Sequence, residues 1–213
     1  MSLAIFIFMT ALAAEVSPAA EDTPMVATEH AGKNGRTLTD EQRAYLASMG
    51  WYERAGDGVG VWVCIRDQTI RLVDHQRVVW ETPCSTAAKG IGYRVNSFQT
   101  PLGWHSVAEK LGDGAPVGQV FRDKRATNEI CKPGDKVSED LVLTRVLVLT
   151  GEEPGKNKGG DMDSYARNIY IHGTNAEQDI GKPASHGCVR LSNKDVIAAY
   201  ERIPVGTFVL ITE

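Results

Sequence analysis

Several features are scarce in this chain of 213 residues, and each shortage removes a class of function. Positive charge is not in excess: 23 Lys and Arg against 27 Asp and Glu leave a net charge of −4. No stretch clusters lysines and arginines, so the electrostatic footprint that a nucleic acid backbone selects is missing. Apolar runs are short. The longest, Leu3 to Ala14, falls below the ~20 residues that span a bilayer. There is no HExxH and no CxxC, and His186 and Cys188 alone supply at most half a zinc site, so neither a metal nor another cofactor is expected. "GDGVGV" at Gly56 lacks the third glycine of a dinucleotide loop, and "EEPGKNKGG" lacks the Ser or Thr that a phosphate loop places after its lysine. Both read as turns. Aromatics make up only 7%, while 21 glycines punctuate the chain, a balance that favours a turn-rich β protein over a helical bundle.

The β character is written in runs of alternating or β-branched residues: "VGVWVCIR" from Val59, "TIRLVD", "RVVWETP", "GWHSVAEK", "LVLTRVLVLTG", "RNIYIHG" and "GTFVLIT". Turn signals such as "TPLG" at Thr100 and "KPGD" at Lys132 separate them. Two helices carry start signals. Thr39 with Gln42 makes a capping box for a helix that runs to about Met49, with Gly50 as a left-handed stop. Ser192 caps a second helix, with Asp195 in its first turn and Pro204 beyond its end.

Four segments follow. Residues 1–14 read as an export signal, with an apolar stretch and the small-residue pattern Ala11-Leu12-Ala13, although no basic residue precedes it. Residues 15–37 read as a flexible tether, 38–58 as a short helical segment, and 59–213 as one mainly β domain. After removal of the signal no membrane span is expected, and the compartment implied is the periplasm or cell envelope.

The chemistry concentrates in "ASHGCVRLS", Ala184 to Ser192. Cys188 has the thiol of a nucleophile if a histidine takes its proton. His186 is separated from it only by Gly187, whereas His172 ends a predicted strand that can lie beside the Cys188 segment, which makes His172 the better base. Gly187 has the backbone freedom to aim the Gly187 and Cys188 amides together at a developing oxyanion.

"HGTNAEQDIGKPASHGCVRLSN", His172 to Asn193, resembles the active-site signature of the L,D-transpeptidase (YkuD-type) family. "STAAKGIG", "SFQTPLGWHSVAEK" and "GKNKGGDMDSYARNIYIHGT" extend the resemblance over roughly Val59 to Glu213. It implies a YkuD-like β-sandwich with a few short helices, and peptidoglycan stem peptides as substrate. Cys188 would attack the bond between the third residue, usually diaminopimelate, and D-Ala, leaving a thioester. An amine from another stem, a D-amino acid or a wall-anchored lipoprotein would take the acyl group, and the family is a carbapenem target. The resemblance makes His172 the base and the Gly173 carbonyl its orienting partner. Arg190 would meet a substrate carboxylate or form a surface salt bridge, Ser185 and His186 would shape the pocket, and Thr174 and Asn175 would line the acceptor side. His172 and His186 stand fourteen positions apart, a short loop for the family, and Arg190 replaces the asparagine of some members. The alternatives are a cysteine L,D-carboxypeptidase or hydrolase, with water as acceptor, and an inactive wall-binding module.

Of the remaining cysteines, Cys64 reads as a buried small hydrophobe, and Cys84 and Cys131 could pair. His105 reads as a satisfied, partly buried histidine, and His30 and His75 as tether and turn residues.

Overall fold

Strands Val59–Cys64 (β2), Thr69–Asp74 (β3) and Arg77–Pro83 (β4) form an antiparallel meander. They belong to a computed structural model that describes residues 35–213 apart from 57, 133 and 136. The export signal, most of the tether and His30 lie outside the described residues. Arg36–Thr37, read as the end of that tether, is instead a two-residue strand (β1) paired with β4.

The last strand, Phe208–Thr212 (β11), lies parallel to β2 and antiparallel to Gly103–Leu111 (β5), so the C-terminal segment joins the two arms of the sheet. Beyond β5 comes the ten-residue strand Val142–Gly151 (β8), which also pairs with Gln119–Arg122 (β6) and Tyr170–Gly173 (β9). Val189–Leu191 (β10) runs parallel to β9, and Arg125–Ile130 (β7) closes a hairpin with β6. The eleven strands among the described residues share one hydrogen-bonded network. Its main core takes Val61, Val63 and Ile70 from one arm and Leu147, Leu149 and Ile171 from the other, so the arms pack on each other around a common interior. Each fully buried Leu, Ile or Val contributes about 1.5–3 kcal/mol, which makes this shared interior the main source of stability.

The helices start where the side-chain signals put them. Thr39 and Gln42 close the capping box of Asp40–Ser48 (α1), and Gly50, at φ 73°, breaks it before a second short helix, Trp51–Ala55 (α2). Leu46 and Trp51 from these helices cover the outer face of the sheet at Trp62, Trp104 and Leu210. In Asn193–Arg202 (α3), Ser192 Oγ accepts from the Asp195 N–H at 3.0 Å, and Val196 and Ala199 enter the main core.

Cys84 and Cys131, which the sequence left open to pairing, are both free thiols. Cys84 is sealed in the main core, where burial pushes its thiol up to about 12, while Cys131 packs against Val120 and Leu141 in a separate small cluster. Cys64 is buried, as expected of a small hydrophobe.

Candidate active site

Parallel pairing of β9 with β10 sets Ile171 opposite Val189 and His172 opposite Arg190. Paired residues on neighbouring strands project to the same face, and alternate residues share it, so Tyr170, His172, Cys188 and Arg190 form one row. Three of these, Tyr170, His172 and Cys188, border a cavity of about 410 Å³, whose wall also includes His186 and Asp140.

His172 is buried, and its Nδ1 lies 2.7 Å from the Gly173 carbonyl. A neutral imidazole donating from Nδ1 keeps its lone pair on Nε2, which takes no hydrogen bond among the described residues. Burial holds His172 below the usual imidazole value, the Arg190 charge adds to that, and the Gly173 carbonyl and Asp140 oppose it. The adjoining backbone is tight: a Cβ on Gly173 would lie 2.8 Å from the Leu143 carbonyl oxygen. Opposite it, β8 bulges between Leu143 and Val146, with the buried Thr144 at φ 70°. Bulges of this kind re-aim side chains beside functional sites. Asn193 ties the bulge to the next segment, accepting from Thr144 Oγ and donating to the Thr174 carbonyl.

Cys188 Sγ donates to the Asn168 carbonyl at 3.2 Å and accepts the Tyr170 N–H at 3.4 Å. It makes no hydrogen bond to His172, and burial pushes the thiol up to about 12. The resting pair is therefore a neutral thiol and a neutral imidazole. Gly187 has φ 130°, a conformation that favours glycine, and its carbonyl accepts from Thr100 Oγ at 2.9 Å. Its N–H, expected beside that of Cys188 as an oxyanion donor, instead donates to Ser185 Oγ at 3.1 Å. Ser185 Oγ in turn donates to the Cys188 carbonyl at 2.6 Å, so this buried hydroxyl fixes the loop. The Cys188 N–H has no protein acceptor among the described residues.

Arg190 departs from both of its expected roles. It is 3% exposed, and its guanidinium is committed to Asp140, so it is neither a surface ion pair nor part of the cavity wall. Asp140, which sequence reasoning missed, takes that wall position. It accepts from His186 Nδ1 at 2.9 Å as well as from Arg190. Burial raises its carboxyl, but His186 and Arg190 outweigh this and hold it below the usual carboxylate range. His186 lies largely exposed at the rim, edge-on to Phe98. Thr174 and Asn175 do not line the cavity. Thr174 is buried and accepts the Ala176 N–H, and Asn175 clamps the Asp140 segment by donating to the Glu139 carbonyl at 2.9 Å and accepting the Leu141 N–H at 3.0 Å.

His105 lies away from this cavity, fully buried, with Nδ1 3.0 Å from the Gly103 carbonyl and Nε2 3.0 Å from Ser164 Oγ. No helix among the described residues is long and apolar enough to cross a membrane.

The chain is similar to known L,D-transpeptidases in sequence. The family model for the L,D-transpeptidase catalytic domain (YkuD) matches residues 58–211. The probable L,D-transpeptidase ErfK/SrfK of Escherichia coli is 46% identical over 152 residues, 70% of this chain and 45% of that protein. The probable L,D-transpeptidase YbiS of the same species is 33% identical over 112 residues, 51% of this chain and 31% of that protein. The chain thus spans less than half the length of these relatives. Among solved structures, an L,D-transpeptidase from Xylanimonas cellulosilytica aligns with a TM-score of 0.45 and 20% identity, covering 82% of this chain and 70% of that one.

Proposed function

This chain belongs to the L,D-transpeptidase (YkuD) family, and we propose that it is an exported cysteine acyltransferase acting on peptidoglycan stem peptides in the periplasm or cell envelope. The domain from about residue 59 onward carries the reaction. One observation bears most of the weight: a histidine with one nitrogen tied to backbone and the other uncommitted shares a cavity wall with a cysteine.

The stem enters the cavity with the carbonyl of its third residue over Cys188. The thiol leaves the Asn168 carbonyl and turns toward His172, whose Nε2 takes the proton as sulfur attacks. The Cys188 N–H donates to the oxyanion that forms. Collapse breaks the bond to D-Ala, whose amine departs with the proton from His172, and a thioester remains. An acceptor amine then attacks the thioester, His172 takes its proton, and the thiol is regenerated. Serial use of one imidazole as base, acid and base again requires that it be neutral at rest, which its burial favours. His186 and Asp140 shape the rim of the cavity, and Ser185 and Thr100 hold the nucleophile loop.

The test is incubation with a disaccharide tetrapeptide, with and without an amine acceptor such as a D-amino acid, read by mass spectrometry. A cross-linked or exchanged product, and an acyl adduct on Cys188 that is lost in Cys188→Ala, are expected. Tripeptide as the sole product would replace transfer by hydrolysis, and unchanged turnover in Cys188→Ala would remove the nucleophile assignment.

A further inference from the structure

With Arg190 committed to Asp140, the catalytic cavity needs another cation if it is to hold an anionic group, and its wall has two, Arg122, which is paired with Glu139, and Lys124. The β6–β7 hairpin turns on Asp123 and Lys124, with φ of 48° and 60°. Two consecutive positive φ angles define a type I′ turn, a conformation usually filled by Asn and Gly. Here two charged residues adopt it, and the turn brings Lys124 to the cavity wall beside Asn168 and Tyr170.

Lys124 Nζ donates to Asn168 Oδ1 at 2.6 Å and to the Tyr165 carbonyl at 3.3 Å, and lies 4.3 Å from the centre of the Tyr165 ring. An ammonium has three N–H donors, so one is unassigned. Among the described residues no carboxylate comes within ion-pair distance of it. Tyr170, only 5% exposed, has a buried hydroxyl without any hydrogen-bond partner. A buried polar atom left unpaired is costly, and one that belongs to a residue of a reactive cavity's wall points to a ligand that completes it. Burial raises the Tyr170 phenol, with the Asp123 carboxylate acting in the same direction, so it remains a neutral donor. Asp123, on the same turn, also borders the cavity, and Glu109 is occupied by the Tyr165 hydroxyl.

We propose that Lys124 and Tyr170 form a carboxylate subsite that anchors the acyl-donor stem next to Cys188, the ammonium and the phenol each donating to one anionic group. This rests on the stem-peptide reading above and assigns the residues that recognise the donor. Two carboxylates of such a stem have the required chemistry, that of the terminal D-Ala and that on the side chain of the third residue.

The experiment measures binding by calorimetry, using full-length Cys188→Ala protein so that nothing turns over. The ligands are a free-acid tetrapeptide and two monoamides, one blocked at the terminal carboxyl and one at the side chain. One monoamide should bind about tenfold more weakly than the free acid, the scale of a lost charge-assisted hydrogen bond, and so identify the carboxylate. Tyr170→Phe and Lys124→Met, added to that protein, should weaken the free acid about as much and abolish the discrimination, with Lys124→Arg restoring part of it. Because Tyr170→Phe removes an unpaired atom only, its melting temperature should not fall. Stem binding by the parent with no change in either variant, or equal binding of acid and both amides, overturns the subsite alone. No binding of any stem overturns the stem-peptide reading and the subsite with it.

Discussion

His105 on β5 and His172 on β9 are nearly the same object in two regions of one sheet. Both are buried in extended backbone, and each ties Nδ1 to a nearby carbonyl. Burial lowers both, His105 to about 4. They part at Nε2. In His105 that nitrogen meets Ser164 Oγ, and the residue is a closed structural unit. In His172 it meets no partner among the described residues, and the ring borders the cavity shared with Cys188. The two residues therefore differ in what the second nitrogen lacks, since burial, tautomer and backbone support are common to both.

The comparison breaks most sharply by substitution. His172→Gln should lower the rate of thioester formation by about 10²–10⁴, the usual contribution of a positioned base, with little change in the unfolding transition. His105→Gln should do the reverse, keeping turnover per folded molecule while losing about 1–3 kcal/mol from disrupted buried hydrogen bonds. Mass spectrometry of the acyl-enzyme and denaturant unfolding of each variant separate the two effects. A folded His105→Gln protein without activity would show that the two regions are not distinct.

Acid titration sharpens it next. The folded form of His105 titrates near 4 and the unfolded form near 6.5, so between those values the unfolded chain binds more protons. Stability from this residue is complete above pH 6.5 and falls as pH drops toward 4, by about 3 kcal/mol in all. His105→Gln should flatten unfolding free energy over that window. For His172 the same direction of shift appears in kinetics: the acidic limb of kcat/KM should lie below pH 6.5, since a depressed imidazole stays neutral and basic at lower pH. An acidic limb above pH 6.5 would contradict a depressed His172.

Most of the scaffold was legible because its signals are local. Alternating β-branched runs located β2 to β5, β8, β9 and β11, and the Thr39–Gln42 and Ser192–Asp195 signals located α1 and α3. The β6–β7 hairpin escaped because Asp123 and Lys124 replace the usual glycine signal and β7, "RATNEI", has no apolar alternation. In the site, the proposed nucleophile and base, Cys188 and His172, and the Gly173 carbonyl stand in one contiguous signature. Asp140 was not, because its pairing with Arg190 and His186 spans about fifty positions and depends on how a loop folds back. The misplaced roles share a cause. Arg190, Thr174, Asn175 and the Gly187 amide are polar groups beside a reactive centre, and each is consumed in building it: Thr174 and Asn175 hold backbone, and Gly187 closes the nucleophile loop.

The smallest expected effect makes the two regions most alike. Ser164→Ala removes the hydroxyl that donates to His105 Nε2, leaving a second buried imidazole with an uncommitted lone pair. Stability should fall by about 1–3 kcal/mol, the cost of an unsatisfied buried acceptor, and turnover should be unchanged. Diethyl pyrocarbonate followed by peptide mapping reads the other half. His172, on the cavity wall, should be modified in the parent and in Ser164→Ala alike, while His105 stays protected in both. Modification of His105 at the rate of His172 in the folded variant would mean that an open nitrogen alone suffices. Protection would mean that the base needs two things, an uncommitted Nε2 and a cavity in front of it, and that β9 supplies both where β5 supplies neither.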